Sequence, residues 1–412
     1  MEISLDLRRA KASAEKELLE LDGVTGVGVG EKITNDKRTG IACIRVYVKK
    51  KLPKSKLTKS QTIPAEINGA PVDVIEREFV LHPAKIALDD LQAHIDTTRY
   101  ATITGGTSIG PCRSIGGYIF VGTLGLVVED NDTGDPMMLS NFHVMCVDDG
   151  WSIGDTMCQP SRVDGGSCPA DTVGELARAS LGGQVDAAVA RITERDHNCR
   201  VTEIGNIAGT ANAVDGEAVR KRGRTTELTY GFVDDISLTV SIDYEDGLGV
   251  VTLTNQIGIE VDSSQSTQFG DNGDSGSVVV NASNEVIGLY FAGSSDGSYG
   301  VANPIDAVFS ALDVKLCSTI SGPVATLPWL DRGDTIFETN PWLDRGTITW
   351  IDEPRTTPWL DVGGGTFKNI DDVKTQRVTT HSWKRWPRTL PCRKVSISLC
   401  KRALVDSIHA FQ

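Results

Sequence analysis

Short runs of apolar residues, unbroken or alternating with polar ones, recur through the middle of the chain at 118–128, 185–192, 231–242, 250–254 and 277–289. Gly, Asp and Asn fill the gaps between them, and such runs bounded by turn-formers are strands. The central region is therefore expected to be mainly β, as a sandwich or a barrel. The first 21 residues follow another rule: charges alternate with Leu and Ala, which predicts an amphipathic helix. Strand patterns follow at 24–29, 41–48 and 72–76, so residues 1–85 are expected to form a separate small α+β domain. The basic run Lys49–Lys59 between them reads as a solvated loop. Gly26-Val27-Gly28-Val29-Gly30 could pass for a nucleotide loop, but no helix start and no Lys-Ser/Thr follows it, so it is counted as strand. Residues 84–98 carry a helix-like pattern and predict a linker helix across 86–102.

With 412 residues the chain is long enough for two to three domains, and 42 glycines suit a β-rich body full of turns. The net charge of −14 disfavours nucleic acid as a partner of the whole molecule. No apolar stretch approaches the roughly 20 residues of a membrane span. The amphipathic start lacks the apolar core of a secretory signal, which gives a cytoplasmic address as the expectation.

The chemistry is concentrated in three places. Gly273-Asp274-Ser275-Gly276-Ser277 sets a serine between glycines, where backbone N–H groups can approach a reacting carbonyl without obstruction by a Cβ. An oxyanion hole needs that geometry, with Gly273 and Ser275 as the donors. Upstream, His143 follows an apolar strand and a small-residue turn in Met138-Leu139-Ser140-Asn141-Phe142-His143-Val144, and Asp186 opens the apolar run Val185-Asp186-Ala187-Ala188-Val189. A serine needs a base to take its proton, and the base needs a carboxylate to fix its tautomer. Taken singly, the three read as a packed imidazole, a strand-end cap and a turn residue. Together they give the order His, Asp, Ser, which excludes the α/β-hydrolase order, and Ser277 stands where the Gly-x-Ser-x-Gly elbow requires glycine.

From about 103 to 314 the chain resembles the chymotrypsin-like (trypsin-like) serine proteases, above all bacterial members and the intracellular narrow-leaf-type proteins of plants. The resemblance rests on the histidine and serine segments, on Gly223-Arg224-Thr225-Thr226, on the strand Gly288-Leu289-Tyr290-Phe291-Ala292-Gly293, and on Tyr299-Gly300-Val301-Ala302 leading into Asn303-Pro304-Ile305-Asp306. Glu227 departs from the pattern at a position where glycine is usual. The resemblance implies two six-stranded antiparallel barrels with the active site in the cleft between them, no metal and no cofactor, and a protein or peptide substrate. Phe291 and Gly293 would pair with the substrate backbone, while Phe269, Tyr290 and Ala302 would line the specificity pocket. No carboxylate stands at the pocket floor, so an apolar residue before the scissile bond is expected, or a small one if Phe269 fills the space. Ile103-Thr104-Gly105-Gly106 resembles the mature start of secreted trypsin-like enzymes, which leaves open whether residues 1–102 are removed on activation.

Nine cysteines include no Cys-x-x-Cys pair, and their spacing does not suit zinc. Cys112, Cys146, Cys158, Cys168 and Cys199 cluster around the first barrel, where a reducing compartment would keep them as buried thiols. Beyond the barrels, Trp-Leu-Asp motifs at 329–331, 342–344 and 359–361, with Trp350-Ile351-Asp352, form an irregular repeat across 321–372. They read as spacer, as a multivalent protein ligand, or as a segment that blocks the cleft in cis. Residues 373–412 form a basic tail, with nine Lys or Arg against Asp406 alone. Two functions follow: a serine endopeptidase of narrow, regulatory specificity, or a non-catalytic or self-blocked interaction module on the same fold.

Overall fold

A computed structural model describes residues 3–34, 37–58, 61–82, 84–87, 95–245 and 247–317. The Trp-Leu-Asp repeats at 321–372 and the basic tail at 373–412 lie outside the described residues. The described part is mainly β and is built around two barrels, as expected.

In the second barrel, strands Ala218–Gly223, Val278–Asn281, Glu285–Ser294, Tyr299–Pro304, Val250–Val261 and Glu227–Asp243 pair antiparallel in that order. Glu227–Asp243 then pairs back with Ala218–Gly223, which closes the circuit. In the first barrel the order runs Tyr118–Leu124, Thr107–Pro111, Thr156–Cys158, Thr172–Gly182, Val185–Ile192, Pro136–Ser140 and Leu126–Asp130. Its two ends are consecutive stretches of chain joined at Gly125, so this sheet curls back on itself. Buried Leu126, Val128, Leu139, Val185, Ala187 and Val189 of the first barrel share one cluster with Val278, Val280, Val286 and Leu289 of the second. Helix Ile305–Leu312 seals that cluster through Ile305, Val308 and Leu312. Burial of this shared apolar surface fixes one barrel against the other and so fixes the cleft between them.

The N-terminal helix is present as Leu5–Leu19, started by Ser4, whose side chain accepts a hydrogen bond from the Leu7 amide. It covers strands Val24–Thr34 and Lys37–Val48 through Leu7, Ala10 and Leu18. The expectation of a separate domain over 1–85 is corrected. Val24–Thr34 pairs on its free edge with Glu227–Asp243, Gly26 opposite Val240 and Val27 opposite Thr239, so the N-terminal sheet continues into the second barrel. A strand has two hydrogen-bonding edges, and the sequence does not say where the second one goes. The glycines of the Gly-Val-Gly-Val-Gly run serve this joint. A Cβ on Gly28 would lie 2.2 Å from an Asp235 oxygen, and one on Gly30 would lie 2.4 Å from the Arg45 guanidinium carbon.

Of the linker helix expected across 86–102, residues 88–94 lie outside the described residues, and 95–102 are not helical. Residues Ala84–Ala87 form a strand that pairs with Tyr118–Leu124, Lys85 opposite Phe120. An open barrel edge offered them a ladder, and tertiary pairing overrode the local helical pattern. Among the described residues no helix is long and apolar enough to cross a membrane.

Cys112 and Cys168 form a disulfide, as do Cys199 and Cys317. The expectation of thiols is corrected for Cys112, Cys168 and Cys199, because strand packing brings the partners' Cα atoms to 5.8 and 5.6 Å, within bonding range. Cys146 and Cys158 are buried and free, as is Cys43.

Candidate active site

His143 sits on the one-turn helix Phe142–Met145 that follows strand Pro136–Ser140. Asp186 opens strand Val185–Ile192, next to it in the same barrel. The His143 imidazole Nδ1 meets Asp186 Oδ2 at 2.5 Å, and the His143 amide donates to Asp186 Oδ1 at 3.2 Å. The backbone of Asp186 is fixed as well, since its N–H donates to Asn303 Oδ1 and its carbonyl accepts from Asn141 Nδ2. Tyr244, which sequence reasoning missed, donates its hydroxyl to Asp186 Oδ2 at 2.8 Å, and its ring stands edge-on to His143. Burial and the neighbouring Asp186 charge hold the Tyr244 phenol well above its ordinary range, so it remains a donor.

Ser275 comes from the other barrel and is fully buried. Gly273 (φ 101°) and Gly276 (φ 97°) flank its turn in the left-handed region that favours glycine. A Cβ on Gly276 would also lie 2.1 Å from Ser140 Oγ. Beneath the turn, Asp274 is saturated by donors: the amides of Thr225, Thr226 and Asp271, the Thr226 hydroxyl at 2.5 Å and Lys221 Nζ at 2.9 Å. Burial alone would raise this carboxyl, yet the Lys221 charge and those hydrogen bonds hold it below the usual range. Ile103 is buried in strand Thr102–Gly105. Glu227, which stands where glycine is usual, adopts φ 57°, the conformation that glycine would take without strain.

The Ser275 hydroxyl donates to the Phe291 carbonyl at 3.0 Å. Among the described residues His143 Nε2, although buried, has no hydrogen-bond partner. The structure thus brings Asp186 and His143 together, while the hydrogen bond of Ser275 Oγ goes to Phe291 and not to the imidazole. The two candidate oxyanion donors do converge. The Gly273 and Ser275 amides point at one acceptor, the carbonyl oxygen of His82, at 2.7 and 3.4 Å.

The expected pocket residues sit in one region. Phe269 and Tyr290 pack edge to face at 5.8 Å, and Ala302 joins them in a buried cluster. Phe269 backs Tyr290, whose hydroxyl hydrogen-bonds the His82 ring at 2.6 Å. Phe291 supplies its carbonyl here and sends its side chain into a different cluster. Gly293 faces Val80 across an antiparallel pair.

Cys112, Cys158 and Cys168 bring three sulfurs within 4.8 Å of one another. Two of these are joined as a disulfide, so the thiolate set that zinc requires is not formed.

No family model matches the chain, and no curated protein matches its sequence. Among solved structures the chain is similar to a glutamic acid specific serine protease that utilizes a histidine triad in substrate binding. That match has 22% identity and a TM-score of 0.39, and covers 52% of this chain and 100% of that one. It is similar to Thermobifida fusca protease A at 20% identity and TM-score 0.39, over 52% of this chain and 98% of that one. It is similar to Cellulomonas bogoriensis chymotrypsin at 22% identity and TM-score 0.37, over 53% of this chain and 100% of that one.

Proposed function

We propose that the protein is a serine endopeptidase that cleaves peptide bonds through an acyl-enzyme intermediate. The observation that carries this reading is the convergence of the Gly273 and Ser275 amides on a single peptide carbonyl oxygen, beside a buried His143–Asp186 pair. In the proposed reaction the Ser275 hydroxyl rotates from Phe291 to His143 Nε2 and passes its proton there as Oγ bonds to the substrate carbonyl carbon. The two amides hold the oxygen as it gains charge. His143 then gives the proton to the departing nitrogen, the C–N bond breaks, and an ester remains on Ser275. Water repeats the sequence: His143 takes its proton, the C–O bond forms, Oγ leaves with the proton, and the acid is released. Asp186, steadied by Tyr244, keeps the tautomer and stabilises the imidazolium.

The second reading is a self-blocked module, favoured by the orientation of Ser275 Oγ toward Phe291. The narrow, regulatory specificity read from the sequence belongs to this same proposal. Two disulfides suit an oxidising compartment better than the cytoplasm expected from the N-terminal pattern.

The test is labelling with a fluorophosphonate beside Ser275→Ala and His143→Ala. Labelling that both substitutions abolish supports the endopeptidase; labelling that survives Ser275→Ala refutes it.

A further inference from the structure

The segment Phe79–Leu81 and the residue after it have no part in either barrel circuit, yet they occupy the cleft. Phe79, Val80 and Leu81 pair antiparallel with strand Glu285–Ser294, in the register Leu81 opposite Ala292, Val80 opposite Gly293 and Phe79 opposite Ser294. The His82 amide donates to the Phe291 carbonyl at 3.4 Å, and the His82 carbonyl takes both candidate oxyanion donors. The His82 ring is buried, 2% exposed, against Tyr290. A Cβ on Gly293 would lie 2.8 Å from His82 Cε1, so the absence of a side chain there admits the ring.

We propose that Phe79–His82 is docked as a peptide substrate docks, so that the chain blocks its own site and displays the substrate class it accepts: an extended peptide with an imidazole side chain immediately before the scissile bond. This deepens the endopeptidase reading and rests on it. An added strand supplies main-chain hydrogen bonds and leaves specificity to the pocket.

Several features of the pocket fit a neutral imidazole. Tyr290 stays protonated, held well above its ordinary range by burial, and hydrogen-bonds Nδ1. The Ser294 backbone also hydrogen-bonds the ring. Burial lowers the His82 imidazole to about 4, so the ring is neutral at neutral pH. Asp274 and Asp271 lie near enough to act on the ring, which disfavours a carboxylate in its place. A phenyl ring would leave the Tyr290 hydroxyl without this bond, at a desolvation cost.

Three further features keep the segment in place without turnover. Phe79 is anchored at the other end, edge-on to Tyr47 of the N-terminal sheet at 5.1 Å and beside Tyr299. In the sequence His82 is followed by Pro83, so the bond beyond the docked carbonyl is a tertiary amide whose nitrogen carries no hydrogen. Ser275 Oγ meanwhile rests on Phe291.

The experiment uses the full chain with His82→Ala, His82→Asp, Tyr290→Phe and Ser275→Ala. Fluorophosphonate labelling rates are measured, together with hydrolysis of acetyl-Phe-Val-Leu-Xaa-aminocoumarin with Xaa His, Phe, Glu or Lys. His82→Ala and His82→Asp are expected to label at least tenfold faster than the unaltered chain. In those variants the His peptide should be cleaved at least tenfold faster than the others, and Tyr290→Phe combined with His82→Ala should erase that preference. Labelling at one common rate, Ser275-dependent and without a His preference, overturns this proposal and leaves the endopeptidase standing. No labelling in any variant that retains its circular dichroism overturns the endopeptidase reading, and this one with it.

Discussion

Tyr244 donates its hydroxyl to the same Asp186 oxygen that meets the imidazole of His143, at 2.8 Å. The donor comes from the second barrel and the acceptor from the first, so the bond ties the His–Asp pair to the opposite wall of the cleft. Tyr244→Phe keeps the ring and removes the donor. It is expected to cost about 1 kcal/mol of stability and to slow Ser275 labelling several-fold. Asp186→Asn should slow it far more, because the His143 tautomer is then no longer fixed. Equal labelling rates for Tyr244→Phe and the unaltered chain would remove Tyr244 from the machinery.

Lys221 and Asp274 form a fully buried ion pair immediately before Ser275. Removal of one partner strands the other charge, which costs roughly 3–5 kcal/mol, whereas a neutral pair of similar shape is tolerated. Lys221→Met is therefore expected to destabilise strongly in urea unfolding and to abolish labelling. The double variant Lys221→Met with Asp274→Asn should recover much of the stability. A single-variant loss below about 1 kcal/mol, within the range of surface pairs, would show that the pair does not hold the turn.

The parts of this site legible in the sequence are those whose residue type and immediate neighbours agree. Ser275 is flanked by glycines that the turn requires, and His143 and Asp186 stand beside apolar strands that position them. Tyr244 was not legible, since an aromatic residue at a strand end reads as core and its partner lies 58 positions away. His82 was harder still, because the atom that matters is a backbone carbonyl, which every residue carries. The one available signal was Phe79-Val80-Leu81-His82 standing directly before Pro83 as a short extended run. Strand periodicity pointed to a sandwich or a barrel and the resemblance implied a pair of barrels, but neither the joint between Val24–Thr34 and Glu227–Asp243 nor the strand at Ala84–Ala87 could be read. Which edge pairs with which is decided by the finished sheet.

Cys199–Cys317 closes a loop that contains nearly the whole second barrel, with a sequence separation of 118, and Cys112–Cys168 spans 56. Chain entropy assigns bridges of these spans roughly 4–5 kcal/mol each as an upper estimate. Reduction with dithiothreitol should lower the melting temperature by several degrees or more in calorimetry, with Cys199→Ser reproducing part of the drop. An unchanged melting temperature would mean that the folded protein holds these cysteines as thiols. Cys158 lies within 4.8 Å of Cys112 and Cys168. Peptide mapping after partial reduction is thus expected to recover mixed pairs that include Cys158.

Docked His82 and free His82 differ in their affinity for a proton, and this sets the direction of a pH effect. Burial lowers the docked imidazole to about 4, while Asp274, Asp271 and the Ser294 backbone oppose that shift and Lys221 adds to it. A free histidine titrates near about 6.5. Above that value neither form is charged, and docking has its full strength. As the pH falls from about 6.5 toward 4, the released segment takes up a proton that the docked ring refuses, so docking weakens by roughly tenfold per pH unit. His82→Gln removes the titration and keeps a side chain able to hydrogen-bond Tyr290. The ratio of labelling rates, unaltered chain over His82→Gln, cancels the pH dependence of the reaction itself. It is expected to rise severalfold or more between pH 7.5 and pH 5. A flat ratio would mean that His82 does not leave the pocket as a neutral-to-charged switch, and a falling one would mean that protonation strengthens its hold.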